Sequence, residues 1–332
     1  ADLATVTSPY DGSAPAEFVR IGSHVLFTAQ PGDHARRLFR SDGTSSGTEE
    51  IASACGPLAS GGFSLRFATA AQAFYSVRCG SEPEALWTSD GTPAGTRVLL
   101  PVGSYHSPGP QVPAPQSVED GVGSFFLQGG DHALPLELWY TDGTVGGTTR
   151  IAIVSESDRV TGALHRRGAG DLLLLVAGNS EGLAVWKSDG TASGTRPVRV
   201  LAYPDQYTYL RSFHPTANGI AFMISAWPDR AELWYSDGTL EGTILGVGLT
   251  DYSSAPPTDH AGSVYFVSEK EGSEWVWRGD GTAESTRAIV PLGTRTTRSG
   301  SFEFFAGQLY FIACSDDRSS CELLRAPLVG GT

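Results

Sequence analysis

One short motif recurs along the chain at nearly regular intervals, and it constrains the fold more than any other feature. Each copy begins with an apolar residue and an aromatic residue, followed by two variable residues and then Asp-Gly-Thr. After two further variable residues it ends with a second Gly-Thr. Six copies occupy residues 38–48, 86–96, 138–148, 185–195, 233–243 and 276–286. A degenerate seventh copy at residues 323–332 lacks the Asp-Gly-Thr. Successive motif aspartates stand 43 to 52 residues apart. Repeat periods of this length belong to architectures built from stacked or radially arranged units.

The segments between the copies predict strands. Each unit holds short runs rich in Val, Ile, Phe, Tyr, Trp and Thr, bounded by Gly, Pro, Asp and Ser, which is typical of strands and argues against helical solenoids of similar period. In the unit 208–247 we predict strands at residues 208–214, 220–225, 232–236 and 243–247. The same parse places the second strand of the other units at residues 24–29, 73–77, 124–128, 172–177, 264–268 and 308–313. Several of these are apolar on both faces, as in a sheet packed between two others.

Seven such units predict an all-β fold, a seven-bladed β-propeller of four-stranded blades forming a single domain over residues 1–332. The seventh unit stops at Thr332, where its fourth strand would begin, while residues 1–7 precede the first unit without a partner strand of their own. Joined, the two ends resemble residues 95–102. We therefore expect residues 1–7 to form the outer strand of the seventh blade and to pair with residues 321–326.

The motif resembles the ELWxxDGT repeat of secreted bacterial proteins, often myxobacterial. The resemblance covers essentially the whole chain, although the seventh copy lacks the Asp and Ser285 replaces the second Gly in the sixth. It implies a β-propeller and an extracytoplasmic location, and it implies no reaction.

Charge and composition exclude several classes of partner. The chain has 23 basic and 36 acidic residues, a formal charge of −13, which would repel a nucleic-acid backbone. No run of 18 or more apolar residues predicts a transmembrane segment. We expect no cofactor, because no phosphate loop or dinucleotide fingerprint is present, and we expect a monomer.

The four cysteines indicate an oxidising compartment. Cys314 and Cys321 flank a short polar segment and could bridge the mouth of a hairpin, while Cys55 and Cys79 could join a loop to the next strand. The alternative is four buried free thiols. The first residues show neither the basic nor the apolar region of a signal peptide, so we expect a mature secreted, periplasmic or cell-surface protein.

The Asp-Gly-Thr motif has two chemical interpretations. Calcium loops need several closely spaced oxygen ligands, whereas each copy offers one carboxylate. The interpretation we favour is a turn in which Asp accepts backbone N–H groups and Gly takes the positive φ. The aromatic register, Trp87, Trp139, Trp186, Trp234 and Trp277 with Phe39 and Leu324 in the outer units, could form a stacking platform. Packing between blades is the interpretation we prefer.

The candidate ligand site lies on loops that do not repeat. With this topology, loops from the fourth strand to the next unit and loops from the second to the third strand share one face, where propellers commonly bind ligands. Aromatic rings beside carboxylates and imidazoles would suit a sugar or a peptide, and the alternative is ordinary turn residues. The candidate ligand-binding residues are Tyr105, His106, His132, Tyr203, Asp205, Tyr207, His214, Trp227, Tyr252 and His260.

Histidines offer the other possible chemistry. His165 and His214 align, and we place them near the start of the innermost strand; with His106 and His260 they could meet over the channel. No metal-ligand spacing or nucleophile elbow appears in the sequence, so we predict no metal. The leading hypothesis is a non-catalytic secreted or surface protein that binds a glycan, peptide or protein through this face. The alternative is a propeller lyase or hydrolase, with or without a metal, that uses His and Asp there.

Overall fold

Every regular element in the described part of the chain is a β-strand. The computed structural model describes residues 14–30, 35–55, 60–101, 103, 105–106, 117–119, 122–129, 134–156, 161–166, 172–178, 182–201, 208–226, 230–249, 257–293, 295–297, 302–315 and 319–327. These residues form 28 strands, which confirms the all-β class. Within them no helix is long and apolar enough to cross a membrane. The chain divides into two compact units, Ala1–Gly109 with Ser117–Glu156 and Pro110–Gln116 with Ser157–Thr332.

The first unit contains three antiparallel meanders of four strands, β1–β4, β5–β8 and β9–β12. The strands are β1 (Ala16–Ile21), β2 (His24–Ala29), β3 (Ala35–Ser41), β4 (Glu49–Ala52), β5 (Gly61–Ala68), β6 (Ala73–Cys79), β7 (Ala85–Ser89), β8 (Arg97–Leu100), β9 (Ser117–Glu119), β10 (Ser124–Gly129), β11 (Leu136–Thr141) and β12 (Thr149–Ser155). A short parallel pairing of β3 with β5 joins the first two meanders. It needs glycine at Gly62, because φ is 111° and a Cβ there would collide with the carbonyl oxygen of Arg36.

The second unit contains four sheets, of which the first three are again four-stranded meanders. Its strands are β13 (Thr161–Arg166), β14 (Leu172–Gly178), β15 (Gly182–Ser188), β16 (Arg196–Leu201), β17 (Thr208–Thr216), β18 (Gly219–Ala226), β19 (Arg230–Ser236), β20 (Ile244–Leu249), β21 (Thr258–His260), β22 (Ser263–Lys270), β23 (Ser273–Gly279), β24 (Arg287–Gly293), β25 (Arg295–Thr297), β26 (Glu303–Phe305), β27 (Gln308–Ser315) and β28 (Cys321–Pro327). In the last sheet β25 and β26 both pair with β27, and β28 pairs with β27 along its other edge. Residues 1–7, predicted to continue this sheet, lie outside the described residues.

We name the four positions of a sheet a, b, c and d in chain order. The predicted b strands are found: β2 has the predicted bounds, and β18 extends the predicted strand by one residue at each end.

Each repeat motif forms strand c and the turn into strand d. In all six copies the c–d pairing shifts register at the step into the motif's aromatic residue. No local sequence pattern predicts this bulge, which adds one residue to strand d.

The core lies between the faces of neighbouring sheets within each unit. Buried residues of β18 alternate between two neighbours: Phe222 and Ile224 pack in a cluster with Val185 of the preceding sheet. Ala221 and Met223 pack in a cluster with residues of the following one. The strand is therefore apolar on both faces because both are covered, as the sequence predicted.

Both predicted disulfides are present, and no cysteine is free. Cys55, in the loop after β4, is bonded to Cys79 at the end of β6. Cys314 and Cys321 face each other across β27 and β28. The alternative of four free thiols is therefore wrong.

Candidate functional site

The repeated Asp-Gly-Thr turn is held together by its own side chains. In the fifth copy Asp237 Oδ1 accepts hydrogen bonds from the backbone N–H of Thr239 at 2.8 Å and from its hydroxyl at 2.7 Å. Thr239 Oγ1 accepts the N–H of Gly242 at 2.9 Å, and the Thr243 hydroxyl donates to the Thr239 carbonyl at 2.7 Å. Gly238 has a φ of 85°, which glycine adopts without strain. The turn interpretation is confirmed.

The first four copies repeat this arrangement. Their motif carboxylates each accept the N–H and the hydroxyl of the threonine two residues later at 2.7–2.9 Å. The threonine hydroxyl bond is the main reason why the pKa values of Asp42, Asp142 and Asp189 lie below 3.8. At Asp90 burial raises the pKa, but the bonds to Thr92 outweigh it and the pKa is lowered. These carboxylates are therefore ionised at neutral pH and engaged with their own turns.

The turns also contact the neighbouring sheet. Arg40 Nη1 donates to the carbonyl oxygen of Gly91 in the second copy at 3.0 Å, and Arg97 Nη2 donates to that of Gly143 in the third at 3.2 Å. In the second unit Arg199 Nη1 donates to Thr243 O at 2.8 Å. An arginine from one sheet thus satisfies a turn carbonyl of the next, so the motif connects sheets as well as strands.

The tryptophan register packs between sheets. The rings of Trp87 and Phe63, from different strands of one core cluster, are 5.5 Å apart at 77°. Trp234 packs against the cluster between the fourth and fifth sheets. Its Nε1 donates to the Glu232 carboxylate at 2.8 Å, and Arg199 Cζ lies 5.6 Å from its ring centre. The interpretation as packing is confirmed for these residues.

Of the ten candidate ligand-binding residues, four are described. The other six lie outside the described residues: His132, Tyr203, Asp205, Tyr207, Trp227 and Tyr252. Tyr105 is only 1% exposed and packs with Phe74 and Phe126, and burial raises its pKa. A ring in this position cannot offer a stacking surface to a ligand, so the expected role of Tyr105 is wrong. His106 is half-buried, and its carbonyl accepts the N–H of Gly129 at the end of a b strand, on the predicted b–c side.

His214 and His260 lie at the other end of their strands from the predicted face. Strand β17 continues beyond His214 to the a–b hairpin, and His260 closes the next a–b hairpin opposite Ser263. The repeat turns are at this same edge, since Ser236 pairs with Ile220 at the start of β18. The placement of His214 on the b–c face, near the start of strand a, is therefore wrong, because strand a runs on to a tight hairpin. His165 is likewise near the end of β13.

Three histidines of the second unit occupy the a strands of consecutive sheets. We call them the inner histidine row: His165 on β13, His214 on β17 and His260 on β21. His165 lies 6.3 Å, between ring centres, from Phe213 on the next a strand. His214 Nδ1 lies 3.3 Å from Asp259 Oδ1, again on the next a strand. The row therefore links each sheet to the following one.

The last member of the row is stacked. The ring of His260 lies parallel to that of Phe304 on β26, with centres 4.1 Å apart at 4°. Sequence reasoning missed Asp259 and Phe304. Each of these two residues stands three positions before the Gly of an Ala-Gly turn. An alignment of the two turns would therefore have shown that Asp259 and Phe304 occupy the same position, but it would not have predicted their contacts.

Two imidazoles of the row, those of His165 and His214, are shifted towards the neutral form by burial. Burial lowers the pKa of His165. It also lowers that of His214, where the hydrogen bond and charge of Asp259 oppose the shift. His214 Nε2 is buried and has no hydrogen-bond partner in the described part of the chain. Over residues that the structure describes, no three His, Cys, Asp or Glu side chains converge as metal ligands. The row can stack and donate hydrogen bonds at its half-buried edges.

Comparisons with known proteins bear on the fold. No family model matches the chain, and no curated protein matches it. A solved prolyl endopeptidase is similar over 96% of this chain and 49% of its own, with 10% identity and a TM-score of 0.51. A puromycin hydrolase matches over 99% and 54%, with 14% identity and a TM-score of 0.41. The β-propeller domain of the Trilobed protease from Pyrococcus furiosus matches over 96% and 98%, with 12% identity and a TM-score of 0.39.

The chain spans about half the length of the first two of these structures. At such identities the likeness concerns the fold alone, and a β-propeller domain is among the similar structures. The peptidase activities named for these proteins belong to them.

Proposed function

We propose that this protein is a non-catalytic secreted or surface protein that binds a glycan, peptide or protein through its non-repeating b–c and d–a loops. The main support for the proposal is that the polar side chains of the repeat hydrogen-bond within their own turn. In five copies this holds for the Asp and for both Thr side chains. Residues whose side chains hydrogen-bond to one another in this way form part of the scaffold. Recognition then falls to the segments that differ between units, as is usual for loops on a rigid framework.

We also propose the finer architecture, a seven-bladed propeller of ELWxxDGT repeats closed by residues 1–7. The last sheet supports this. The c strands of the six earlier sheets each pair with a d strand, whereas in the described part of the chain β28 pairs with β27 alone. A strand supplied by residues 1–7 would complete the pattern and protect the open edge of β28.

Removal of residues 1–7 tests the closure. We expect the truncated protein to unfold at a markedly lower temperature than the full chain, because β28 would lose a ladder of hydrogen bonds and a covering strand. The measurement is thermal unfolding by circular dichroism. An unchanged melting temperature would contradict closure by these residues.

The proposed location rests on the two disulfides, which form and persist in oxidising compartments. The repeat adds to this through its resemblance to secreted bacterial proteins. A secreted binding protein is exposed to extracellular glycans and to the proteins of other cells.

A glycan array followed by substitution in the loops tests the binding function. We expect array binding to disappear in Tyr203→Ala and Trp227→Ala, and to persist in Leu240→Ala, a control at a 53% exposed side chain in a repeat turn. Tightly held stoichiometric transition metal in protein purified without added metal would contradict the non-catalytic proposal and favour the hydrolase or lyase.

A further inference from the structure

The sixth repeat turn lacks a hydrogen bond that the other five share. In those five copies the residue before the motif Asp is Ser or Thr, and its hydroxyl accepts the N–H of the motif Gly at 3.0–3.1 Å. In the sixth copy Gly279 holds that position and has no hydroxyl. The N–H of Gly281 makes no hydrogen bond within the described part of the chain.

A tyrosine of the neighbouring sheet excludes a side chain at Gly279. A Cβ there would collide with the Tyr235 hydroxyl, which lies 2.8 Å from Thr286 Oγ1. In the other copies the Ser or Thr hydroxyl makes this contact with the last Thr of the motif, at 2.7–2.8 Å. Tyr235 therefore replaces one of the two contacts of the missing hydroxyl, and the N–H of Gly281 is left without the other.

The Asp280 carboxylate is also held less tightly than the other motif carboxylates. Those accept both the N–H and the hydroxyl of the Thr two residues later, at 2.7–2.9 Å. Among the described residues Asp280 accepts one bond, from the Thr282 hydroxyl at 3.3 Å. The backbone differs as well, since φ is 109° at Gly281 and 83–92° at the other motif glycines. The carboxyl group and the N–H that follows it are thus both less restrained in this copy.

An Asp-Gly step in which these two groups are free to approach can close into a ring. The Gly nitrogen attacks the side-chain carbonyl carbon of the Asp, a C–N bond forms, and the amide proton leaves with the carboxyl OH as water. The product is a succinimide. Water that then adds at the side-chain carbonyl restores Asp. Water that adds at the backbone carbonyl breaks the original peptide bond and leaves isoaspartate, which is joined to Gly through its side chain. Glycine favours the closure because it has no Cβ and its backbone is permissive.

Space and water are available beside this step. A cleft of about 390 Å³ has Gly281 and Thr282 in its lining, and Asp280 and Gly281 are both partly exposed. The turn can therefore change shape into the cleft, and water can reach the ring that forms.

We propose that Asp280–Gly281 is a site of spontaneous covalent modification, which forms succinimide and then isoaspartate faster than the five other repeat turns do. Isoaspartate adds a methylene to the main chain of the turn between β23 and β24. This shifts Thr286 relative to Tyr235 and weakens the contact between the fifth and sixth sheets. The modification is independent of the binding function proposed above.

Ageing of the protein at neutral pH and physiological temperature tests the site. Trypsin then releases residues 279–287 and 188–199 as peptides with one aspartate each, which makes the fourth turn an internal control. Gly190 is also partly exposed. Chromatography separates the isoaspartate forms, and electron-transfer fragmentation in a mass spectrometer identifies them. Isoaspartate at Asp280 should accumulate at least about fivefold faster than at Asp189, the factor that one net hydrogen bond is worth.

Synthetic peptides of the same two sequences separate the effect of the fold from that of the sequence. Each has Gly after its Asp and no turn to restrain it, so the two should form isoaspartate at similar rates. The proposal is overturned if Asp280 and Asp189 age at the same rate in the folded protein, or if the synthetic peptides reproduce the difference.

Ser188→Ala reproduces the missing hydrogen bond in the fourth turn, because it removes the acceptor of the Gly190 N–H. Isoaspartate at Asp189 should then rise several-fold. Ser193→Ala is the matched control, since it removes from the same turn a hydroxyl that contacts Thr191 and not Gly190. Thermal unfolding before ageing checks that both variants are folded. A folded Ser188→Ala protein in which Asp189 ages as slowly as in the wild type also overturns the proposal.

Discussion

The fifth and sixth repeat turns share the Asp-Gly-Thr and the final Thr, but Gly242 of the fifth is replaced by Ser285 in the sixth, and Ser236 by Gly279. In the fifth turn Asp237 Oδ1 accepts two hydrogen bonds from Thr239 at 2.7–2.8 Å. In the sixth the carboxylate of Asp280 accepts the hydroxyl of Thr282 at 3.3 Å, and the Ser285 hydroxyl accepts the Asp280 N–H at 3.0 Å. The Ser285 hydroxyl thus bonds to the backbone at the start of its turn, a contact that a glycine cannot make.

The difference shows why the second glycine recurs. A Cβ on Gly242 would collide with the Asp237 carboxylate, and the same holds at the matching glycine of the first four copies. The glycine is needed so that the carboxylate can lie across the turn, and not for backbone freedom, since the glycine with positive φ is Gly238. In the sixth copy, where a side chain stands at this position, its hydroxyl bonds to the turn.

The largest effect should come from converting the fifth turn. Gly242→Ala should lower the unfolding free energy by about 1–3 kcal/mol, the usual cost of forcing extra atoms into a packed site. Gly242→Ser should cost less, because its hydroxyl can accept the Asp237 N–H as Ser285 does in the sixth turn. Urea denaturation compares the two. Equal losses for both variants would contradict a stabilising hydrogen bond from the serine hydroxyl.

A smaller effect is expected from the bond between sheets. Arg199→Met keeps the apolar stem over Trp234 but removes the donor to Thr243 O, and should cost about 1 kcal/mol. Arg196→Met is the control, because Arg196 is exposed on the same strand. If the two variants unfold at the same urea concentration, the turn does not connect the sheets energetically.

The smallest effect concerns the carboxylate pKa. The Asp189 pKa lies below 3.8 because of the Thr191 hydroxyl and N–H, so this carboxylate stabilises the fold above its unfolded-state pKa and loses that contribution as pH falls through its folded-state pKa. Thr191→Val should raise the Asp189 pKa towards 3.8 and make acid destabilisation shallower. A carboxyl titration followed by nuclear magnetic resonance measures it. An unchanged pKa would show that the hydroxyl is not the cause.

Local chemistry made much of the fold predictable. The hairpins follow from Asp-Gly turns and strand composition, so β2 was predicted with its observed bounds and the pairing of Cys314 with Cys321 followed from their spacing. The bulge opposite each motif aromatic and the parallel pairing at Gly61 and Gly62 depend on contacts between distant segments. No local pattern encodes those.

The candidate site was less predictable for the same reason. Tyr105 has the sequence context of a loop residue, but it is buried in a cluster that includes Phe74 and Phe126 from two different sheets. His214 was placed at the wrong end of its strand, although the predicted strand at residues 208–214 already ended at His214, next to the a–b turn.

The repeated carboxylates accept hydrogen bonds from their own turns, and we expect them to hold no ligand. The most direct test is urea unfolding of the wild type and Asp90→Ala, each with calcium and with a chelator. Asp90 Oδ1 accepts two bonds from Thr92, so the variant should be less stable by about 1 kcal/mol in both conditions, with calcium changing neither protein. Calcium stabilisation of the wild type that is lost in Asp90→Ala, or a variant as stable as the wild type, would contradict the claim.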